Sequence, residues 1–129
     1  MNAKKIGYYL TTVLFSLMML GSAAAHLTRQ APMVEGMTKL GYPLYFMTII
    51  GTAKLLGALA LLVPVTPRTL RDWAYAGFVF NLLGAVASHV GAGDPIGDTL
   101  APLMPLTILL ASYALWRSGA ATSSAPALA

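Results

Sequence analysis

The chain has 129 residues, 57% of them hydrophobic and 9% charged, with a mean hydropathy of +0.72. A soluble globular domain carries about 25% charged residues, so the composition excludes one and indicates a single integral membrane domain. The net charge of +4 comes from scattered residues rather than a basic patch, which excludes a nucleic-acid partner. The lack of cysteine excludes disulfides, thiolate-held metals and CxxC redox chemistry.

Lys4 and Lys5 precede an apolar run over residues 6–27. The basic start, the apolar core and Ala23-Ala24-Ala25 before His26 fit a secretory signal with a cleavage site. The run is longer than a typical signal core, and its small residues equally suit a helix-packing face. The reading adopted is a retained first span.

Within residues 28–43, Met33, Val34, Met37 and Leu40 fall at i, i+1, i+4 and i+7, with Glu35 and Lys39 four apart on the other side. Pro32 opens the segment and Gly41 closes it. The pattern predicts a short amphipathic helix on the membrane surface, with a solvated loop as the alternative. Gly41-Tyr42-Pro43 then turns into a second span over residues 44–63.

That span is apolar for the thickness of a bilayer core and carries one ionisable residue, Lys54. At 1.5 Å per residue the Lys54 backbone lies about 13 Å from either end. An ammonium at such depth is costly in lipid, so it faces a bundle interior or a wet cavity and has a partner. The alternative is a lysine that snorkels toward water and does nothing more.

A connection through Pro64, Pro67, Arg68 and Arg71 leads to a third span over residues 73–91. On it Gly77, Asn81, Gly84, Ser88 and Gly91 recur at helical spacing, one stripe of small and polar residues. The stripe predicts close helix–helix contact at the glycines. The turn Gly91-Ala92-Gly93-Asp94-Pro95-Ile96-Gly97-Asp98 has glycines but no GxxxxGK pattern, and its acidic residues repel phosphate. A fourth span follows over residues 98–117, with Pro102 and Pro105 in its first turns, where a missing N–H is tolerated or kinks the helix. The Ala- and Ser-rich residues 118–129 read as a disordered tail, outside a single domain of residues 1–117.

Four spans put both termini on one side, together with Lys4, Lys5, Arg68, Arg71 and Arg117, against Arg29 and Lys39 on the other. The positive-inside rule assigns the first side to the cytoplasm, and Tyr8, Tyr9, Trp73, Tyr75, Tyr113 and Trp116 form an aromatic belt there. The fold predicted is therefore an all-α, antiparallel four-helix membrane bundle with cytoplasmic termini and a surface helix between the first two spans. Matched by depth, Lys54 lies level with Ser16, Asn81 and Thr107, which makes Asn81 its natural hydrogen-bond partner. His26, His89 and Asp94 fall near the outer rim. The composite is a pocket open to the outer side, with those three at its mouth and Lys54 at its floor. His26 and His89 with Asp94 make a weak ligand set for a metal, and no metal is assigned.

Glu35-Gly36, Lys39-Leu40-Gly41-Tyr42-Pro43, Lys54-Leu55-Leu56-Gly57, Trp73-Ala74-Tyr75-Ala76-Gly77-Phe78, and Ser88-His89 with Gly93-Asp94 resemble, in that order, the DoxX-like family of small bacterial membrane proteins. The resemblance runs from the first span to the fourth. It implies a four-helix, multi-pass protein of the bacterial inner membrane. The family's namesake resembles a membrane subunit of a thiosulfate:quinone oxidoreductase, and other relatives are tied to redox and oxidative-stress complexes. The positions carried over are Tyr42, Lys54, Trp73, Asn81, His89 and Asp94. At position 81 the resemblance implies an acidic residue in many relatives, so Asn81 removes a lysine–carboxylate pair.

The function read from these features is a quinone- or lipid-binding subunit of a redox-linked membrane complex, with Lys54, Tyr42, Asn81, His89, Asp94 and His26 around the ligand. Quinone is the candidate cofactor. Redox-complex subunits and a second copy of the chain are the candidate partners besides the bilayer. The alternatives are a non-catalytic scaffold and a small proton-coupled carrier. No Ser/His/Asp or Cys/His constellation and no carboxylate pair at catalytic spacing is present, so the chain is not read as an enzyme on its own.

Overall fold

Local sequence signals mark most helix ends in the computed structural model, which describes residues 2–122. Helix α1 (Ala3–Leu27) begins at Asn2, whose side chain accepts from the Lys5 amide at 2.8 Å. It stops at Thr28, and Arg29 turns the chain at φ 53°. Helix α2 (Ala31–Lys39) has Pro32 in its first turn and ends before Gly41, which takes φ 86°. Helix α3 (Leu44–Leu62) starts after Pro43 and stops before Pro64. Helix α4 (Arg68–Ala92) starts after Pro67 and closes at Gly93, φ 72°. There the Gly93 and Asp94 amides bond the Val90 and His89 carbonyls at 3.1 and 3.0 Å. This left-handed exit turns Asp94 back onto the last turn of its own helix.

The amphipathic helix predicted before the second span is therefore present as α2. The third span is longer than the sequence pattern marks, starting at Arg68 rather than residue 73. Pro67 presets its first turn, and Arg71 folds inward, so neither arginine interrupts it. The fourth span divides. A short α5 (Ile96–Leu100) meets α6 (Leu103–Arg117) at Ala101-Pro102, while Pro105 sits inside the first turn of α6, where its missing N–H costs nothing. The expected disordered tail opens instead with structure: Gly119 turns at φ 84° into a 3-10 turn over Ala120–Thr122 with Ala120 buried. The rest of that expected tail, residues 123–129, lies outside the described residues.

Helices α1, α3 and α4, and α5 with α6 taken together over Ile96–Arg117, are each long and apolar enough to cross a membrane. In the resulting antiparallel bundle, α1 packs between α3 and α6, and α4 closes the ring between the same two. The start of α1, the α3–α4 connection and the end of α6 share one end of the bundle; α2 and α5 lie at the other. Phe15 of α1, Met47 of α3 and Leu109 of α6 are fully buried at 0% exposure. Across the ring Phe15 meets Phe78 of α4 edge-on, with centroids 4.9 Å apart. Toward the terminal end Ser112 joins two buried hydroxyls, Thr12 at 2.6 Å and Tyr75 at 2.7 Å. Leu10, Leu14, Leu17, Leu56 and Phe80 point outward, as they do when the surrounding solvent is hydrocarbon and the backbone is satisfied within each helix.

Candidate functional site

Helices α3 and α4 touch closely at one level, beside cavities in the gap they share. The contact is Gly57 against the Phe78 ring, where a Cβ on Gly57 would lie 2.7 Å from Phe78 Cε2. On α4 the positions facing the gap are Gly77, Asn81, Gly84 and Ser88. A Cβ at Gly77 or Gly84 would meet nothing within 4 Å. The small-residue stripe, expected to be a packed helix contact, is instead the wall of a groove. Contact and cavity both call for missing side chains, and here the neighbouring helix does not fill the space.

The groove has two chambers. The one toward the terminal end, about 270 Å³, lies between α3 and α4 and is lined by apolar groups such as Leu56, Ala60, Leu70, Trp73 and Phe78. The one toward the α2 end, about 300 Å³, is lined by His26, Tyr42, Ser88 and His89 together with Met37 of α2 and Leu40 just after it. Ile50, Lys54 and Asn81 line both. Lys54 and Asn81 therefore stand where a greasy slot meets a polar chamber.

The partner of Lys54 differs from the one expected. Its Nζ donates to Ser22 Oγ of α1 at 2.9 Å, while Asn81 Nδ2 is buried with no hydrogen-bond partner. The reason is directional. Helical side chains lean toward the N-terminus of their helix, and α3 starts at the α2 end. The lysine stem thus carries its ammonium past the level of Ser16 to that of Ser22. Ser16, matched by backbone depth, is fully buried with its hydroxyl unpartnered.

The remaining expected residues gather around the upper chamber. Tyr42 stacks on Phe46 with centroids 4.7 Å apart and shares a 2.5 Å hydrogen bond with Ser88 Oγ, which itself donates to the Gly84 carbonyl at 2.8 Å. His26 is 6% exposed and sets Nδ1 2.8 Å from the Ser22 carbonyl. A carbonyl only accepts, so Nδ1 carries the proton. His89 donates from Nδ1 to Asp94 Oδ2 at 2.6 Å, and Lys39 of α2 reaches Asp94 Oδ1 at 2.7 Å. Asp94, with a side chain 4% exposed, is thus behind His89 and does not line the chamber. The hydrogen bond from Lys39, then that from His89, holds its carboxyl below the ordinary range. Bonding to Asp94 in turn raises Lys39 above its ordinary value. Lys39 therefore pairs across the chain with Asp94 rather than along its helix with Glu35, and in doing so clamps α2 over the chamber.

The model of one protein family, described as DoxX-like, matches residues 10–112, an interval that holds the residues of both chambers and the α2 clamp. The chain belongs to the DoxX-like family. Nothing among curated proteins or solved structures matches it. In this DoxX-like membrane protein, the expected residues Lys54, Tyr42, Asn81, His89 and His26 converge on one chamber, and Asp94 orients one of them. Among the described residues no group of three histidine, aspartate or glutamate side chains is arranged to hold a metal. Ser22 and Ser88 are additions that sequence reasoning missed. Ser88 was visible within the stripe, whereas Ser22 stood among small residues that read as packing.

Proposed function

We propose that this DoxX-like protein binds a quinone, as a subunit of a redox-linked assembly in the bacterial inner membrane, with both termini in the cytoplasm. The observation that carries the reading is the pair of donors at the chamber junction, the Lys54 ammonium and the orphaned Asn81 amide. A buried donor without an acceptor costs free energy until something supplies one. A quinone does so with a ring carbonyl, and its isoprenoid tail is apolar like the slot between α3 and α4. In this pose the headgroup occupies the upper chamber, with a carbonyl oxygen accepting from Lys54 or the Asn81 amide and the Tyr42 ring packed on its face. The tail leaves through the lower chamber. The chain itself supplies binding and orientation, and electrons come from a partner subunit.

A lipid headgroup oxygen would meet the same donors. The scaffold reading draws on Gly77, Gly84 and Gly91, whose open Cβ positions leave room for a partner helix. Isolation in nanodiscs, followed by native mass spectrometry and organic extraction, separates these readings. One quinone per chain, absent from Lys54→Met, is the expected result. A preparation without quinone that also ignores added quinone overturns the proposal.

A further inference from the structure

At the terminal end of the bundle a second cavity, about 390 Å³, lies away from the groove. Tyr8, Thr12, Thr66, Arg68, Arg71 and Trp116 line it. Arg71 is 6% exposed, and its guanidinium donates to Tyr8 Oη at 3.1 Å and to the Leu61 and Val63 carbonyls at 2.9 and 3.0 Å. Those carbonyls belong to the end of α3, where acceptors lack intrahelical donors. Capping thus explains why Arg71 turns inward. It leaves unexplained the cavity, the second arginine and the charge.

Arg68 sits one turn before Arg71, with its guanidinium 5.5 Å from the Trp116 ring centroid; that of Arg71 is 5.9 Å away. Two cations on one indole repel each other, and both stand at the N-terminal end of α4, where the helix dipole disfavours positive charge. Among the described residues every ion pair is at the opposite end, on Asp94, and no carboxylate is within ion-pair reach of Arg68 or Arg71. A guanidinium has five N–H donors. Three of those on Arg71 are engaged in the bonds above, so two remain. Buried arginine is normally paired; here no carboxylate among the described residues pairs it.

We propose that this cavity binds a phosphate group, held between Arg68 and Arg71 with the Tyr8 and Thr12 hydroxyls beside it. Planar guanidinium forks match phosphate oxygens. The exposed Trp73 and the Trp116 indole lie at this end of the bundle, and tryptophan is enriched where membrane spans meet lipid headgroups. The phosphate comes either from a phospholipid headgroup or from a soluble phosphate, and the test separates the two.

The full chain carrying Trp73→Phe, so that Trp116 alone reports, is delipidated in detergent. It is then titrated with a short-chain phosphatidylglycerol or with inorganic phosphate, and bound lipid is counted by native mass spectrometry. A saturable change in Trp116 emission with phosphatidylglycerol and one retained lipid identify a lipid site. The same change with inorganic phosphate alone identifies a soluble ligand. In either case Arg68→Gln, an exposed position, weakens binding about tenfold or more, the loss of one charged hydrogen bond. Arg71→Lys keeps the charge and loses the fork, and weakens it similarly if folded. No saturable binding of either probe, or equal affinity in wild type and Arg68→Gln, overturns the proposal.

Discussion

The Lys54 ammonium donates to Ser22 Oγ at 2.9 Å, joining the middle of α3 to α1 at the point where the two chambers meet. The serine is a neutral acceptor, so the pair holds the charge in place without cancelling it. That leaves the ammonium able to take a second acceptor from a ligand.

Ser22→Ala removes that acceptor and strands a charged donor. A destabilisation of about 1.5–3 kcal/mol is expected, typical of a hydrogen bond to a charged group. Lys54→Met keeps the stem and removes the charge, so it leaves thermal stability unchanged or raises it. Melting of both variants in one detergent checks the order.

Two glycines facing the same gap answer to substitution with opposite sign. Gly57→Ala drives a methyl against the Phe78 ring, which is itself locked on Phe15, and lowers stability by about 1–3 kcal/mol. Gly84→Ala meets open space and gains up to about 1 kcal/mol from helix propensity, while narrowing the upper chamber and weakening ligand binding. A stability gain at Gly84 with unchanged binding would remove the groove from function.

Two buried serines separate a used hydroxyl from an idle one. Ser112→Ala deprives both Thr12 and Tyr75 of their shared partner and costs about 1–3 kcal/mol. Ser16→Ala deletes a buried hydroxyl without a partner and is neutral or stabilising. Chemical or thermal unfolding of the two variants side by side tests the contrast.

The clamp on α2 has a pH window set by its ionisable groups. Asp94 has a folded pKa below its ordinary value of about 4, so its contribution is present above that value and is lost as pH falls through the depressed one. Lys39 is raised, so its contribution is complete below about 10.5 and lost as pH rises through the elevated value. Protection of the α2 amides, measured against the intrinsic exchange rate at each pH, should therefore be high between these limits and fall beyond each of them. Asp94→Asn should show the low protection already at neutral pH.

Much of the scaffold was legible because single residues mark its edges. Pro32 and Gly41 bound α2, Pro43 and Pro64 bound α3, and an isolated Lys54 in an apolar run flagged the site. Backbone depth brought His26, His89 and Lys54 to one region, and the chamber contains all three. The lysine's partner was missed because matching by depth ignores the lean of helical side chains toward their N-terminus. The glycine stripe was misread because small residues serve contact and cavity alike. Arg71 read as a topology signal; its turn inward depends on where the α3–α4 connection leaves two carbonyls, which no local pattern encodes.

The most direct measurement is the binding of a short-tailed benzoquinone to the protein in nanodiscs, followed by quenching of tryptophan emission, for wild type and Lys54→Met. Saturation at one quinone per chain, weakened about tenfold or more in a Lys54→Met variant of normal stability, is the predicted result. Linear, non-saturating quenching of wild type, or the same affinity in both proteins, would contradict the account.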